Sequence, residues 1–414
     1  MSLKWIKGLV SDIAAIWANE MKMTVKDEGV LVFFILAPLL YPILYSWIYN
    51  NEVVREVPVA AVDLSHSAES REFLRKCDAS PDVKIAYHCN NIEEARELVG
   101  RQVVHGIMFF PTDFSTKLNR GEQANVSVFC DMSLMLTYKA IYQTATAVSS
   151  EMNAGIQIAQ SQSVTDRDEE ITTKPLDFDE VEIFNPTGGY GNAILPGVLI
   201  IVIQQTLLLG IGLAAGTARE RNRNHRLVPM DKHYGGAYRI VLGKALCYMM
   251  IYAVVAAYLT LGIIRIFHFT TLATPEALFG LMLPYLLACI FFGMIISGLI
   301  RYRENVMLIV VFLSLIFLFM TGLSWPESNI PGFWKGISWL VPSTFGVQGF
   351  LKISSMGASI SEIRTEYIVL WTQAFVYFII TCVIYQRQID LTRKHSSADN
   401  DLQIATTETE KQSR

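Results

Sequence analysis

The sequence predicts an α-helical integral membrane protein with six transmembrane helices plus an α/β extracytoplasmic domain. Three observations carry that reading. Val30 to Tyr49, VLVFFILAPLLYPILYSWIY, contains no charge, and several similar runs lie beyond Ile194. A helix rising about 1.5 Å per residue needs roughly 20 apolar residues to cross a hydrocarbon core. Only 17% of the 414 residues are charged and 52% are hydrophobic, against about 25% charged in soluble chains. Finally, about 140 polar residues with alternating strand and helix patterns separate the first run from the second, enough for one folded domain.

Residues 1-29 read as a cytoplasmic tail with an amphipathic interfacial helix. Ile13, Ile16, Trp17 and Met21 line one face, while Asp12, Asn19, Lys22 and Lys26 point elsewhere. Such a helix is expected to lie in the interface plane, with Ile13, Trp17, Met21 and Lys22 as its contact residues. A plain cytoplasmic extension is the alternative. Transmembrane helix 1 follows at 30-49. Its basic flank is not followed by a small-x-small cleavage site, so the span is expected to be retained as an anchor.

The extracytoplasmic domain, 50-191, alternates in type. Val57 to Leu64 reads as a buried strand, Ser67 to Cys77 as a helix, VKIAYHC as a strand, IEEARELVG as a helix, and HGIMFF and VSVFCD as strands. This favours a small sheet covered by helices. A long helix is expected from Leu134 to about Gln162, then acidic, loop-like sequence from Asp166 to Asp179. Asp63, Ser65 and His66 resemble triad chemistry, but neighbours on one loop cannot adopt that geometry, whereas Ser65 or Ser67 would cap the next helix. Cys77, Cys89 and Cys130 leave a Cys77 to Cys89 bridge open without requiring it. His88 beside Cys89 lacks the paired spacing of a zinc site, and no metal site is expected.

Residues 192-386 hold transmembrane helices 2 to 6, at approximately Ala193 to Gly216, Ile240 to Ile264, Ala277 to Ile300, Asn305 to Leu323 and Tyr367 to Tyr385. Each must be helical, because lipid offers no partner to backbone N–H and C=O groups. Lysine and arginine set the orientation. Eighteen lie in segments on one side, and only Arg265, Lys335, Lys352 and Arg364 lie in the short segments on the other. Both termini are therefore expected in the cytoplasm, and residues 387-414 read as a disordered cytoplasmic tail.

The spans are nearly free of charge, which argues against a secondary carrier with a mid-membrane ion site. Lys244 lies near enough to the cytoplasmic end to snorkel. Gln204 and Gln205 fit hydrogen bonding between helices, with a substrate path as the second reading. The chain carries no nucleotide site of its own: Gly243-Lys244 has Tyr238 where a phosphate loop requires glycine and Ala245 where it requires Ser or Thr. Energy from ATP must come from another subunit. The basic loop near 217-239 could receive it, or bind anionic lipid.

This order of parts resembles the permease subunits of type-2 ATP-binding-cassette (ABC) exporters, in the subgroup with a large extracytoplasmic domain between the first two spans. The resemblance is carried by the proline-bearing first span and by AVDLSHSAESREFL, IEEARELV and GIMFFPTDFSTKLNRGE. FNPTGGYGNAILPGVL and WPESNIPGFWKGISWLVPSTFGVQGFLKI extend it to the later spans. In that family the segment after the second span reads like Arg-Glu-Arg-Glu-x-Gly-Thr and couples to the ATPase. Arg219, Glu220 and Arg221 match, while Asn222, Asn224 and His225 replace the second glutamate, the glycine and the threonine.

The resemblance implies a coupling site of Arg219, Glu220, Arg221, Arg223, Asn224 and His225, and no catalytic residue in this chain. ATP and Mg would be held by a separate ABC ATP-binding subunit. It implies a second permease subunit, identical or related, contact with membrane lipid, no nucleic acid, and a multi-pass place in the plasma (inner) membrane. It implies export of an amphipathic drug, lipid or glycan. The rival from another class is a membrane-anchored receptor or scaffold that binds an envelope partner through the same domain.

Overall fold

The computed structural model describes residues 3–49, 54–160, 165–173, 184–185, 189–222, 227–229, 234, 236–300 and 302–412. The chain divides into two compact units, Asn51–Ile183 and the remainder.

The larger unit begins with α1 (Leu3–Lys26), which ends at Asp27. The Asp27 carboxylate accepts from the N–H groups of Gly29 and Val30 and so caps α2 (Glu28–Leu31). The helix then widens into a π turn over Val32–Leu36 before α3 (Ala37–Ile48), where Pro38 and Pro42 give no N–H to the ladder.

The smaller unit comprises β1 (Val57–Asp63), α4 (Ala68–Asp78), β2 (Val83–Cys89), α5 (Ile92–Gly100), β3 (Gly106–Phe110), α6 (Phe114–Asn119), β4 (Ser127–Cys130), α7 (Met135–Gln160) and α8 (Asp166–Thr173). Strand order is β2-β1-β3-β4, with β1 parallel to both neighbours and β4 antiparallel. The central strand is apolar from Val57 to Val62, ahead of Asp63 at its end, because both faces are covered. Val57, Val59 and Ala61 pack with Phe73, Leu74 and Ile141 on one side, and Ala60 and Val62 pack with Ala95 on the other.

Ser67 caps α4 and, with Ser70, closes a capping box, as the capping reading of that loop expects. Asp63 joins the same network, accepting from the Ser70 hydroxyl at 2.7 Å, and forms no triad. Cys77 lies in one core cluster and Cys89 in the other, and both are free thiols. The acidic stretch expected as loop is helical over Asp166–Thr173, where the hydroxyl of Thr165 accepts from the Asp168 N–H and starts the turn.

The chain returns through α9 (Tyr190–Arg221), α10 (Ala237–Ala257), a π turn (Tyr258–Ile263) and α11 (Ile264–Ile266). It continues with α12 (Pro275–Leu299), α13 (Arg303–Met320), α14 (Gly332–Ser338), α15 (Pro342–Met356) and α16 (Arg364–Gln412). Six helices are long and apolar enough to cross a membrane, matching the six runs read from sequence.

The second span, on α9, is the most enclosed, and its glycines permit close contact: a Cβ at Gly210 would lie 1.9 Å from Cε1 of Phe34. The tail read as disordered continues α16 to Gln412. No glycine or proline interrupts residues 386–412, and Glu, Lys, Gln and Ala all favour helix.

Candidate functional site

One face of α1 determines what the N-terminal end of the larger unit can do. Ile16, Glu20, Thr24 and Asp27 recur at i, i+4, i+8 and i+11, and all four are buried. Three of them are polar, so an apolar count places the face incorrectly. Ile13, Trp17 and Met21 are half-buried beside this stripe and Lys22 is exposed.

The stripe packs along α10. A Cβ at Gly243 would come within 2.8 Å of Ile16 and 3.1 Å of the Ile13 carbonyl, so glycine permits the close approach. Asp12 pairs with Arg239 at 2.5 Å, and Asn19 donates to the Tyr234 hydroxyl at 2.9 Å. Lys244 does not snorkel. Its ammonium lies 2.8 Å from Glu20, with side-chain exposures of 5% and 2%, and the Tyr248 hydroxyl donates to the other Glu20 oxygen. A buried charge is tolerated where an opposite charge and further hydrogen bonds satisfy it. α1 is therefore fastened to α10 over Asp12 to Glu20.

Asp27 forms a second junction. Besides capping α2, it accepts from the Thr217 hydroxyl at 2.5 Å and from Arg303 at 3.0 Å. It thereby joins the start of the first span to the end of α9 and the start of α13. Burial raises its carboxyl, but the Thr217 and Val30 hydrogen bonds and the Arg303 guanidinium outweigh this and hold it below the usual carboxylate range.

The residues expected to couple divide into three groups. Arg219 is 6% exposed and donates to the Gly298 carbonyl at 3.0 Å, which ties α9 to α12 instead of presenting the arginine outward. Glu220 and Arg221 are exposed at the end of α9. Arg223, Asn224 and His225 lie outside the described residues.

Gln204 is fully buried. Its Oε1 accepts from the Ser343 N–H at 2.7 Å, and the Cys289 thiol lies 3.6 Å away. Gln205 Oε1 accepts from Ser314 at 2.9 Å. Both glutamines thus bond between helices, the first of the two readings they admitted.

Sequence reasoning missed Glu20, Asp27 and Arg303. For Glu20 only its spacing, four residues after Ile16, was readable; the partner that buries it, Lys244, lies 224 residues away. Among the described residues, no group of three His, Cys, Asp or Glu side chains is placed to hold a metal.

Comparison with known families adds one finding. A family model described as "ABC-2 family transporter protein" matches residues 29–383. No curated protein matches the chain at a significant level.

Proposed function

This chain belongs to the ABC-2 family of transporter proteins, and from that premise we propose that it is the permease subunit of an ATP-driven exporter. A separate ATP-binding subunit supplies the nucleotide chemistry, and a second permease completes the translocating pair. In this reading both termini and the α9–α10 segment face the cytoplasm, the α/β unit lies on the opposite side of the plasma (inner) membrane, and the cargo is amphipathic.

One observation carries the coupling role. The end of the larger unit where basic residues concentrate is fastened across five spans by Glu20–Lys244, Asp27–Arg303, Asp27–Thr217 and Arg219–Gly298, while Glu220 and Arg221 remain exposed there. A push on α1 or on the end of α9 is passed to buried spans and not dissipated in loops. Such a device transmits force and needs no reactive group of its own.

Reversal of charge at Glu220 and Arg221 tests this role. The expected result is a folded permease that retains its ATP-binding subunit on copurification from native membranes, hydrolyses ATP, and loses solute flux. Flux unchanged by both reversals would remove the pair from the coupling surface. Absence of any ATP-binding subunit, under conditions that preserve membrane complexes, would count against the permease role itself.

A further inference from the structure

Between α13 and α16 the chain runs through α14 and α15, and the exposed pair Trp339 and Leu340 leads into a buried first turn of α15 at Pro342, Ser343 and Thr344. Ser343, at the first turn of α15, donates its N–H to Gln204, which lies about 21 Å along α9 from Tyr190. On the preceding residues, Gln373 Nε2 donates to the Trp339 carbonyl at 2.7 Å and the Tyr377 hydroxyl donates to the Leu340 carbonyl.

Among the described residues, four buried side-chain atoms around the start of α15 have no hydrogen-bond partner: Gln204 Nε2, Ser343 Oγ, Thr344 Oγ1 and Gln373 Oε1. Their residues are 0%, 0%, 3% and 6% exposed. Native interiors rarely leave such groups unpaired, and an unpaired group at a helix start inside a membrane bundle signals an absent bonding partner.

The chemistry of the set selects that partner. It offers donors from an amide and two hydroxyls and acceptors from an amide oxygen and the same hydroxyls, and it contains no formal charge. The start of α15 adds a modest preference for negative charge. That preference is far smaller than the cost of burying an unpaired anion. A neutral group bearing several oxygens is thus favoured over a carboxylate, a sulfate or an ammonium.

We propose that the buried start of α15, beside Gln204, is a polar subsite on the solute path that takes a neutral, oxygen-rich head group, such as a polyether or polyol, of an amphipathic molecule. This rests on the permease reading. Gln204, Ser343 and Thr344 bond to the head group, with Gln373 accepting from it where it carries hydroxyls.

The test uses the complex with its ATP-binding subunit in lipid nanodiscs and a Ser343→Cys variant. Labelling by N-ethylmaleimide is followed by peptide-resolved mass spectrometry, so that native cysteines do not interfere. Three probes share a dodecyl chain and are added below their micelle concentrations: octaethylene glycol monododecyl ether, dodecyltrimethylammonium and dodecyl sulfate. The neutral ether is expected to slow labelling at least about fivefold, and the charged probes less than about twofold. A Thr344→Val variant, nearly isosteric, should weaken the ether's protection about fivefold through loss of one hydrogen bond.

Equal protection by all three probes would mean that only the chain is bound. No protection, or a thiol that never labels in any nucleotide state, would mean bound water only. Either result overturns the subsite. Where an active ATP-binding subunit is present and the head-group order is absent, the subsite fails alone. Where the order is present and no such subunit ever copurifies, the permease reading fails and the site stands.

Discussion

Replacing Lys244 by methionine removes the cation from a pair whose side chains are 5% and 2% exposed and 2.8 Å apart. The Glu20 carboxylate then stays buried with the Tyr248 hydroxyl as its remaining donor from α10. Removing one partner of such a pair costs about 3–5 kcal/mol, because the other charge is left uncompensated. The double variant Glu20→Gln, Lys244→Met contains no uncompensated charge and should recover part of that loss, giving a coupling energy of about 2 kcal/mol. Reversible unfolding in mixed micelles, run as a double-mutant cycle, measures it. Lys76–Glu151, with exposures of 29% and 65%, supplies a control expected to couple by about 0–1 kcal/mol. The reasoning is refuted if Lys244→Met falls within about 0.5 kcal/mol of the parent, or if the two substitutions simply add.

Gly210→Ala should destabilise the bundle by about 1–3 kcal/mol, since its Cβ would meet a Phe34 ring already held edge-on by Tyr248 and Tyr252. An unfolding midpoint equal to the parent's would show that the ring is free to move. The lowered carboxyl of Asp27 contributes stability that is fully present above its unfolded value of about 4 and is lost as pH falls through the lower folded value. Parent and Asp27→Asn should therefore differ by a constant amount from pH 7 to pH 5 and converge below about pH 4; a difference that shrinks already at pH 6 would contradict this. Burial pushes the Cys77 thiol up to about 12. Native labelling at pH 8 should thus run about a thousandfold slower than after denaturation, and a Cys77–Cys89 disulfide found by mass spectrometry would contradict their placement on opposite sheet faces.

The spans were legible because a membrane-crossing helix must hide every backbone polar group inside itself, and a long uncharged run such as Val30 to Tyr49 records that need locally. β2 and α5 were legible to the residue, Val83–Cys89 and Ile92–Gly100, because period and cap are local as well. The α1 face was only partly legible. Ile16 belongs to its buried stripe, but nothing local marks Glu20 and Asp27 as buried, because their partners Lys244 and Arg303 come from more than two hundred residues away. Arg219 shows the same limit: the motif placed it at a coupling surface, while its contact with Gly298 buries it.

The sequence by itself determined that this chain is a six-span bundle with an inserted α/β unit, since hydropathy and periodicity are properties of neighbouring residues. The tertiary structure alone decided which charges are buried in pairs, which polar atoms at the start of α15 lack partners among the described residues, and which arginine faces outward. Each of these depends on whether a partner of opposite charge or matching hydrogen bond arrives from a distant segment, and an ionisable side chain carries no local record of that arrival.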